Sequence, residues 1–211
     1  MTKELGHKLT EDGLVIPLSV MAAPAPQIEL IDALLEREAH KIVIGVDPGA
    51  SGALATINLI TGAATVDDMP VTKQKINNHT RARVNPVAIA EWLQDKARYC
   101  VLACVEKGES RPTDGPVQAR NTGASWGLVV GVLAAKGIPV IDADPAKWKP
   151  VMKVTADKDT SRARACLLWP DMAHTLRLKK HDGRAEALLI AMYGILRVQR
   201  IKAREAGLLP S

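Results

Sequence analysis

Four carboxylates in this sequence sit where an α/β protein would gather them. Asp47 closes the apolar run Ile42-Val43-Ile44-Gly45-Val46, and Glu106 closes a second apolar run from Val101 to Val105. Two strands of the buried type, each finishing in one acid, suggest neighbouring strand ends, the usual place for an α/β active site. Asp182 and Glu186 stand four residues apart at the start of a predicted long helix, which puts them on one helical face. Singly, each has a structural reading: Asp47 a turn former, Asp182 an N-cap, Glu186 a favourable first-turn acid. Together, four converging acids repel one another unless cations lie between them, and carboxylate oxygens select Mg²⁺ or Mn²⁺. A pair of such ions about 3.5–4 Å apart can activate a water and stabilise the leaving oxygen of a phosphodiester.

The charge distribution agrees with a polyanionic partner. Of the 211 residues, the first 40 carry a net charge of −4 and the remainder +9. A basic body of this kind puts nucleic acid first among partners, although charge alone discriminates weakly. The three cysteines form no CxxC pair, and Cys100 and Cys104 lie in an apolar run, where cysteine behaves as a small hydrophobe. No apolar stretch reaches membrane-spanning length, and residues 1–40 lack the apolar core of a signal peptide. The expectation is a soluble intracellular protein with no membrane partner, an organelle being left open.

The elements that must position the acids follow from hydrophobic period and punctuation. Residues 1–27 read as an arm broken by Pro17, Pro24 and Pro26, followed by a short amphipathic helix over Ile28–His40. The body, residues 41–211, opens on the Ile42–Val46 strand, with Ala53–Leu59 and Ala63–Asp68 as two further strands of a meander. Asn85 before Pro86 predicts a capped helix running to about Arg98. Residues 107–120 read as a loop broken by glycine and proline, and 121–136 as a helix. A strand at Ile138–Ile141 follows, then short helices over Pro145–Val151 and Asp157–Trp169. The last helix, about Asp182–Arg200, carries Ala185, Leu188, Leu189, Met192 and Leu196 on one stripe. Strands first, then alternating helices and strands, describe a mixed sheet flanked by helices, of which the RNase H-like domain is one arrangement.

Several segments resemble the RuvC family of Holliday junction resolvases. They are Ile44-Gly-Val-Asp-Pro-Gly49 with Ser51-Gly-Ala-Leu-Ala55, Val105-Glu-Lys107, Gly137-Ile-Pro-Val140, Pro145-Ala-Lys-Trp-Lys149, Asp157-Lys-Asp-Thr-Ser-Arg162 and His181-Asp-Gly-Arg-Ala-Glu-Ala-Leu-Leu-Ile-Ala191. The likeness covers about residues 41–198. Acids four apart in the last helix resemble the phage-type and chloroplast-type branch; the bacterial pattern spaces them three apart. The resemblance implies an RNase H-like α/β fold and Mg²⁺- or Mn²⁺-dependent cleavage of four-way DNA junctions. It makes Asp47 the ligand shared by two ions, with Glu106, Asp182 and Glu186 completing the site. It further implies a homodimer that nicks two opposed strands symmetrically, as a two-fold junction requires of an isologous pair of sites.

Six basic residues are candidates for DNA contact. Lys158 and Arg162 lie four apart on a helix that the family places near the scissile strand; the alternative is a solvated helix face. Lys149 lies beside Trp148, which reads as core. Lys107, Arg111 and Arg120 belong to the segment following Glu106. Some resolvases wedge bases apart with an aromatic residue there, but this chain has no phenylalanine, and residues 107–120 hold no Tyr or Trp. Three rival readings are an actin-like phosphotransferase, a non-catalytic DNA-binding subunit and a nuclease for another branched or hybrid nucleic acid. The first needs a second lobe and a second phosphate turn, neither of which is found. The second predicts a missing acid, and all four are present. The third is not separated by sequence.

Overall fold

Ile42–Asp47 is central because both of its faces can be buried. In a computed structural model of the chain, which describes residues 8–9, 15–16, 41–76, 79–108, 114–205 and 208, it forms the middle strand of a five-stranded sheet. In chain order, Lys8–Leu9 (β1) and Val15–Ile16 (β2) pair as a short antiparallel ladder. Ile42–Asp47 (β3), Ala53–Asn58 (β4) and Ala64–Asp68 (β5) form an antiparallel meander. Val71–Ile76 (β6) and His79–Val84 (β7) make a separate two-stranded ribbon. Helix α1 spans Pro86–Trp92, and Cys100–Glu106 (β8) then returns parallel to β3. After α2 (Pro116–Ala135) comes Val140–Ala143 (β9), parallel to β8. Helices α3 (Pro145–Val151), α4 (Lys158–Leu168), α5 (Ala173–Leu176) and α6 (Asp182–Glu205) complete the body. The sheet order is β5-β4-β3-β8-β9.

Alternation along β3 and β8 divides the core into two layers. Val43, Leu102 and Cys104 pack with α4 and α6, whereas Ile44, Val46, Ala103 and Val105 pack with α1 and α2. Period-2 side-chain direction then places Asp47 and Glu106, two residues beyond Gly45 and Cys104, on the α6 side. Cys100 and Cys104 are buried, and burial pushes both thiols up to about 12, in keeping with their role as small apolar residues.

Several element boundaries differ from expectation. The helix capped by Asn85, whose Oδ1 accepts from the amides of Val87 and Ala88, ends at Trp92, short of Arg98; Ala97–Tyr99 is a 3₁₀ turn. The segment read as a loop to residue 120 is helical from Pro116, with Gly115 at the cap and proline at the first position, so Arg120 lies on α2. The strand expected at Ile138–Ile141 begins and ends two residues later. The β6–β7 ribbon was not expected at all. The helix read over Ile28–His40 and the loop residue Arg111 lie outside the described residues. Among the described residues, no helix is long and apolar enough to cross a membrane.

Candidate active site

Asp47 and Glu106 end adjacent parallel strands. Val46 is registered with Val105, which brings the two carboxylates side by side at the carboxyl edge of the sheet. Asp47 Oδ1 accepts from the Gly49 amide at 3.3 Å, so the turn after β3 helps to orient it. Both residues line an open cleft of about 1090 Å³.

Helix α6 delivers the other two acids by close backbone approach. A Cβ at Gly45 would collide with the Ala187 carbonyl and the Ala191 amide, so α6 crosses β3 at a distance only glycine permits. At the start of the helix, Gly183 meets the backbone of Ser51 and Gly52 in the same manner. Arg184 then anchors the first turn to β5, its Nε and Nη2 donating to Asp68 at 2.6 and 2.7 Å. That guanidinium holds the Asp68 carboxyl below the usual range, against a smaller opposing effect of burial.

Each acid has a distinct partner. Trp148, fully buried on α3, donates its Nε1–H to Glu106 Oε2 at 3.0 Å. Lys149 Nζ lies 2.9 Å from Glu186 Oε1, and the buried Ser161 hydroxyl reaches the same oxygen at 3.5 Å. Arg162 pairs with both Asp182 and Asp159, and Lys158 Nζ lies 3.6 Å from Asp182 Oδ2. Burial pushes the Asp47 carboxyl up to about 6, the negative charge of Glu186 adding to the shift. Glu106 rises to about 7 for the same reason, helped by the charges of Asp47 and Glu186 and opposed by Lys149 and the Trp148 hydrogen bond. The negative charge of Glu186 thus acts on both Asp47 and Glu106, and that of Asp47 on Glu106.

The donor set fits a hard divalent cation in its chemistry, being all carboxylate and in mutual repulsion. Among the described residues, however, no three of these acids close into a ready metal cage. Glu186 and Asp182 are turned onto Lys149 and Arg162, whose positive charges stabilise them where they stand. Coordination by all four acids requires those two to exchange their protein partners for the ion.

The basic candidates divide accordingly. Lys149, Lys158 and Arg162 contact the site acids, so their first structural role is to hold carboxylates. Lys158 remains 61% exposed and Arg162 only 12%. Lys107 is exposed and lines the cleft beside Glu106, while Arg120 is exposed on α2. Sequence reasoning missed the Trp148–Glu106 hydrogen bond and the buried Ser161, since partners 42 and 25 residues apart leave no local signal. The neighbouring Pro145-Ala-Lys-Trp-Lys149 segment was the only pointer.

The sheet order, with β4 and β5 antiparallel on one side of β3 and β8 and β9 parallel on the other, is consistent with an RNase H-like fold. The chain is similar in structure to T. thermophilus RuvC in complex with a Holliday junction substrate, with a TM-score of 0.51 and 17% identity over 76% of this chain and 96% of that one. In sequence it is similar to the chloroplastic Holliday junction resolvase MOC1 of Chlamydomonas reinhardtii, 36% identical over 150 residues. That match takes in 61% of this chain but only 17% of the relative's length. No protein-family model matches the chain.

Proposed function

We propose that the chain is a structure-selective endonuclease that resolves four-way DNA junctions by hydrolysing phosphodiesters at Asp47, Glu106, Asp182 and Glu186. The observation that carries this reading is the pairing of Asp47 and Glu106 at adjacent strand ends, facing the helix that bears the other two acids. The likeness to two resolvases supports the choice of substrate.

In this reading Asp47, Glu106, Asp182 and Glu186 hold Mg²⁺ or Mn²⁺, two ions per site, which supply Lewis acidity and an activated water when bound. The chain's own residues do the positioning. Trp148 fixes the direction of Glu106, and the Gly49 amide orients Asp47. Lys149 and Arg162 neutralise Glu186 and Asp182 until the substrate complex assembles. Lys158, the most exposed of the three cations at the acids, is then placed to meet a phosphate of the scissile strand. Lys107, Arg111 and Arg120 add contacts along the DNA backbone.

A homodimer is part of the proposal, because paired nicks in a two-fold junction need two equivalent sites. Helix α2 supports it. Only Val129 and Leu133 of this 20-residue helix are buried, Val117 is exposed, and Gly123, Gly127 and Gly131 each have open space where a Cβ would be, whereas Leu128 lines the cleft that holds the acids. The acidic residues 1–40 form on this reading a separate arm ahead of a nuclease domain spanning 41–211.

The test compares synthetic substrates with divalent ion present: a four-way junction, a flap, an RNA–DNA hybrid and linear duplex. Strong preference for the junction, with paired nicks on opposed strands, is expected. Preference for the hybrid or the flap assigns the fold to a different nuclease reaction, and indifference among all four removes the proposal.

A further inference from the structure

Trp148 differs from the other side chains that meet the acids. It is fully buried, in the part of the core that includes Ala143, Met152, Val154 and Ala165. An indole carries one donor and no acceptor, and this donor meets Glu106 Oε2 at 3.0 Å. Pulling Oε2 away would strand a buried N–H, a loss that no rotation of the packed ring repairs. Lys149 and Arg162, by contrast, hold Glu186 and Asp182 through long side chains that can turn to other acceptors. Of these contacts, the Trp148 hydrogen bond is the one built to stay.

Local structure explains how indole and carboxylate meet. Glu106 is registered with Ala143 across the β8–β9 pair, and the Lys107 amide donates to the Ala143 carbonyl at 2.9 Å. Asp144 then caps α3 by accepting from the Ala146 amide at 2.8 Å, with Pro145 opening the helix. The Trp148 amide donates to the Asp144 carbonyl at 2.9 Å, which fixes the ring one capped turn beyond the strand. Both groups therefore hang from the same pair of strands. With Oε2 taken, Oε1 is the oxygen that Glu106 has left to offer the cleft it lines.

We propose that Trp148 is a positioning residue that makes Glu106 a one-oxygen ligand and so favours small octahedral cations over Ca²⁺ at the acid centre. This rests on the nuclease reading above and deepens it by naming what selects the ion. Mg²⁺ and Mn²⁺ suit single carboxylate oxygens in near-octahedral shells, whereas Ca²⁺ takes roughly six to eight oxygens and often both of one carboxylate. A Glu106 free to turn offers Ca²⁺ both oxygens; held by the indole, it offers one. Partners that orient a ligand in this way change metal affinity by about 10–100-fold.

The experiment titrates the full chain, without DNA, with Mn²⁺ followed by electron paramagnetic resonance, and then with Ca²⁺ in competition. Wild type should hold Mn²⁺ in preference to Ca²⁺. W148F, which keeps an aromatic ring but has no donor, should lose about tenfold in Mn²⁺ affinity and less than about twofold in Ca²⁺ affinity. A second variant replaces Trp148 with its benzothiophene isostere, in which sulfur stands for N–H and the bicyclic shape is kept; it should match W148F. W92F removes an indole donor bonded to Asp67, outside the four-acid centre, and should titrate like wild type. Equal losses for the two ions in the isostere variant would overturn the assignment. So would failure of both Trp148 variants to fold, read by urea denaturation, because the N–H would then serve the core. A wild-type chain that binds neither ion, or whose binding survives Asp47→Asn, sinks the metal-dependent reading together with this one. Binding that is lost in Asp47→Asn, with the Mn²⁺ preference intact in both Trp148 variants, sinks the Trp148 assignment alone.

Discussion

The two long helices that flank the sheet are used in opposite ways. In α6, Ala185, Ala187, Leu188, Leu189, Ile190 and Ala191 are all fully buried, and the helix touches β3 at Gly45 with no space for a side chain. In α2 two side chains are buried, three glycines face open space, and Leu128 is 41% exposed. A helix that carries acids to a shared centre must not shift, because displacement by an ångström can cost about a hundredfold in rate. A helix that carries no site acid is free to keep a small-residue face for another surface. Close packing is thus concentrated in the helix that bears Asp182 and Glu186.

Substitutions can break or sharpen that contrast. The largest effect is expected at the strand-end acids that α6 packs beside: on the proposed function, Asp47→Asn and Glu106→Gln should each lower junction cleavage on the order of a thousandfold, the equivalent of roughly 4 kcal/mol of lost charge stabilisation. Single-turnover cleavage under saturating enzyme measures it, and near-normal rates in Asp47→Asn would remove that residue from the centre. Next, Gly45→Ala should destabilise the fold by roughly 3 kcal/mol, since its Cβ meets helix backbone rather than a movable side chain. Urea denaturation reads this directly, and an unchanged midpoint would mean that α6 is not seated as tightly as described.

The third effect depends on pH. The raised carboxyls of Asp47 and Glu106 keep protons in the native state that the unfolded chain has lost, so ionising them costs folding free energy. Without metal, stability should fall as pH rises from the ordinary carboxylate range through about 7, then level off. Asp47→Asn should accordingly be more stable than wild type by roughly 2 kcal/mol at pH 8, the advantage shrinking toward pH 4. Equal denaturation midpoints at both pH values would show that neither burial nor like charge holds the Asp47 carboxyl up. The smallest effect belongs to α2: Gly127→Ala should stabilise the helix by about 0.5–1 kcal/mol, the reverse of the Gly45 result. A loss there instead, dependent on protein concentration, would indicate that the open face is covered by a second copy.

The same contrast explains what was legible in the sequence. The β3 and β8 runs are apolar from end to end and finish in acids, so strands buried on both faces and their end positions could be read directly. The α6 stripe and the Asp182–Glu186 spacing were equally plain. The β6–β7 ribbon was not, because four successive polar residues, Thr72, Lys73, Gln74 and Lys75, are exposed on β6 and leave no apolar alternation to read. The early start of α2 was signalled by Gly115-Pro116, but the weak apolar content of its first turns masked it. Partner choice was the least legible layer. Lys149 and Arg162 look like phosphate contacts in sequence, and only the fold shows Glu186 and Asp182 already in front of them.

On the proposed function, a divalent ion replaces those protein cations among the acids. Anomalous diffraction from crystals grown with Mn²⁺ tests it most directly. The account predicts a peak in contact with Asp47, Glu106 and Glu186, with Glu186 swung off Lys149, and no such peak in Asp47→Asn. Crystals in which Mn²⁺ binds elsewhere or not at all, while Lys149 and Arg162 keep Glu186 and Asp182, would contradict it.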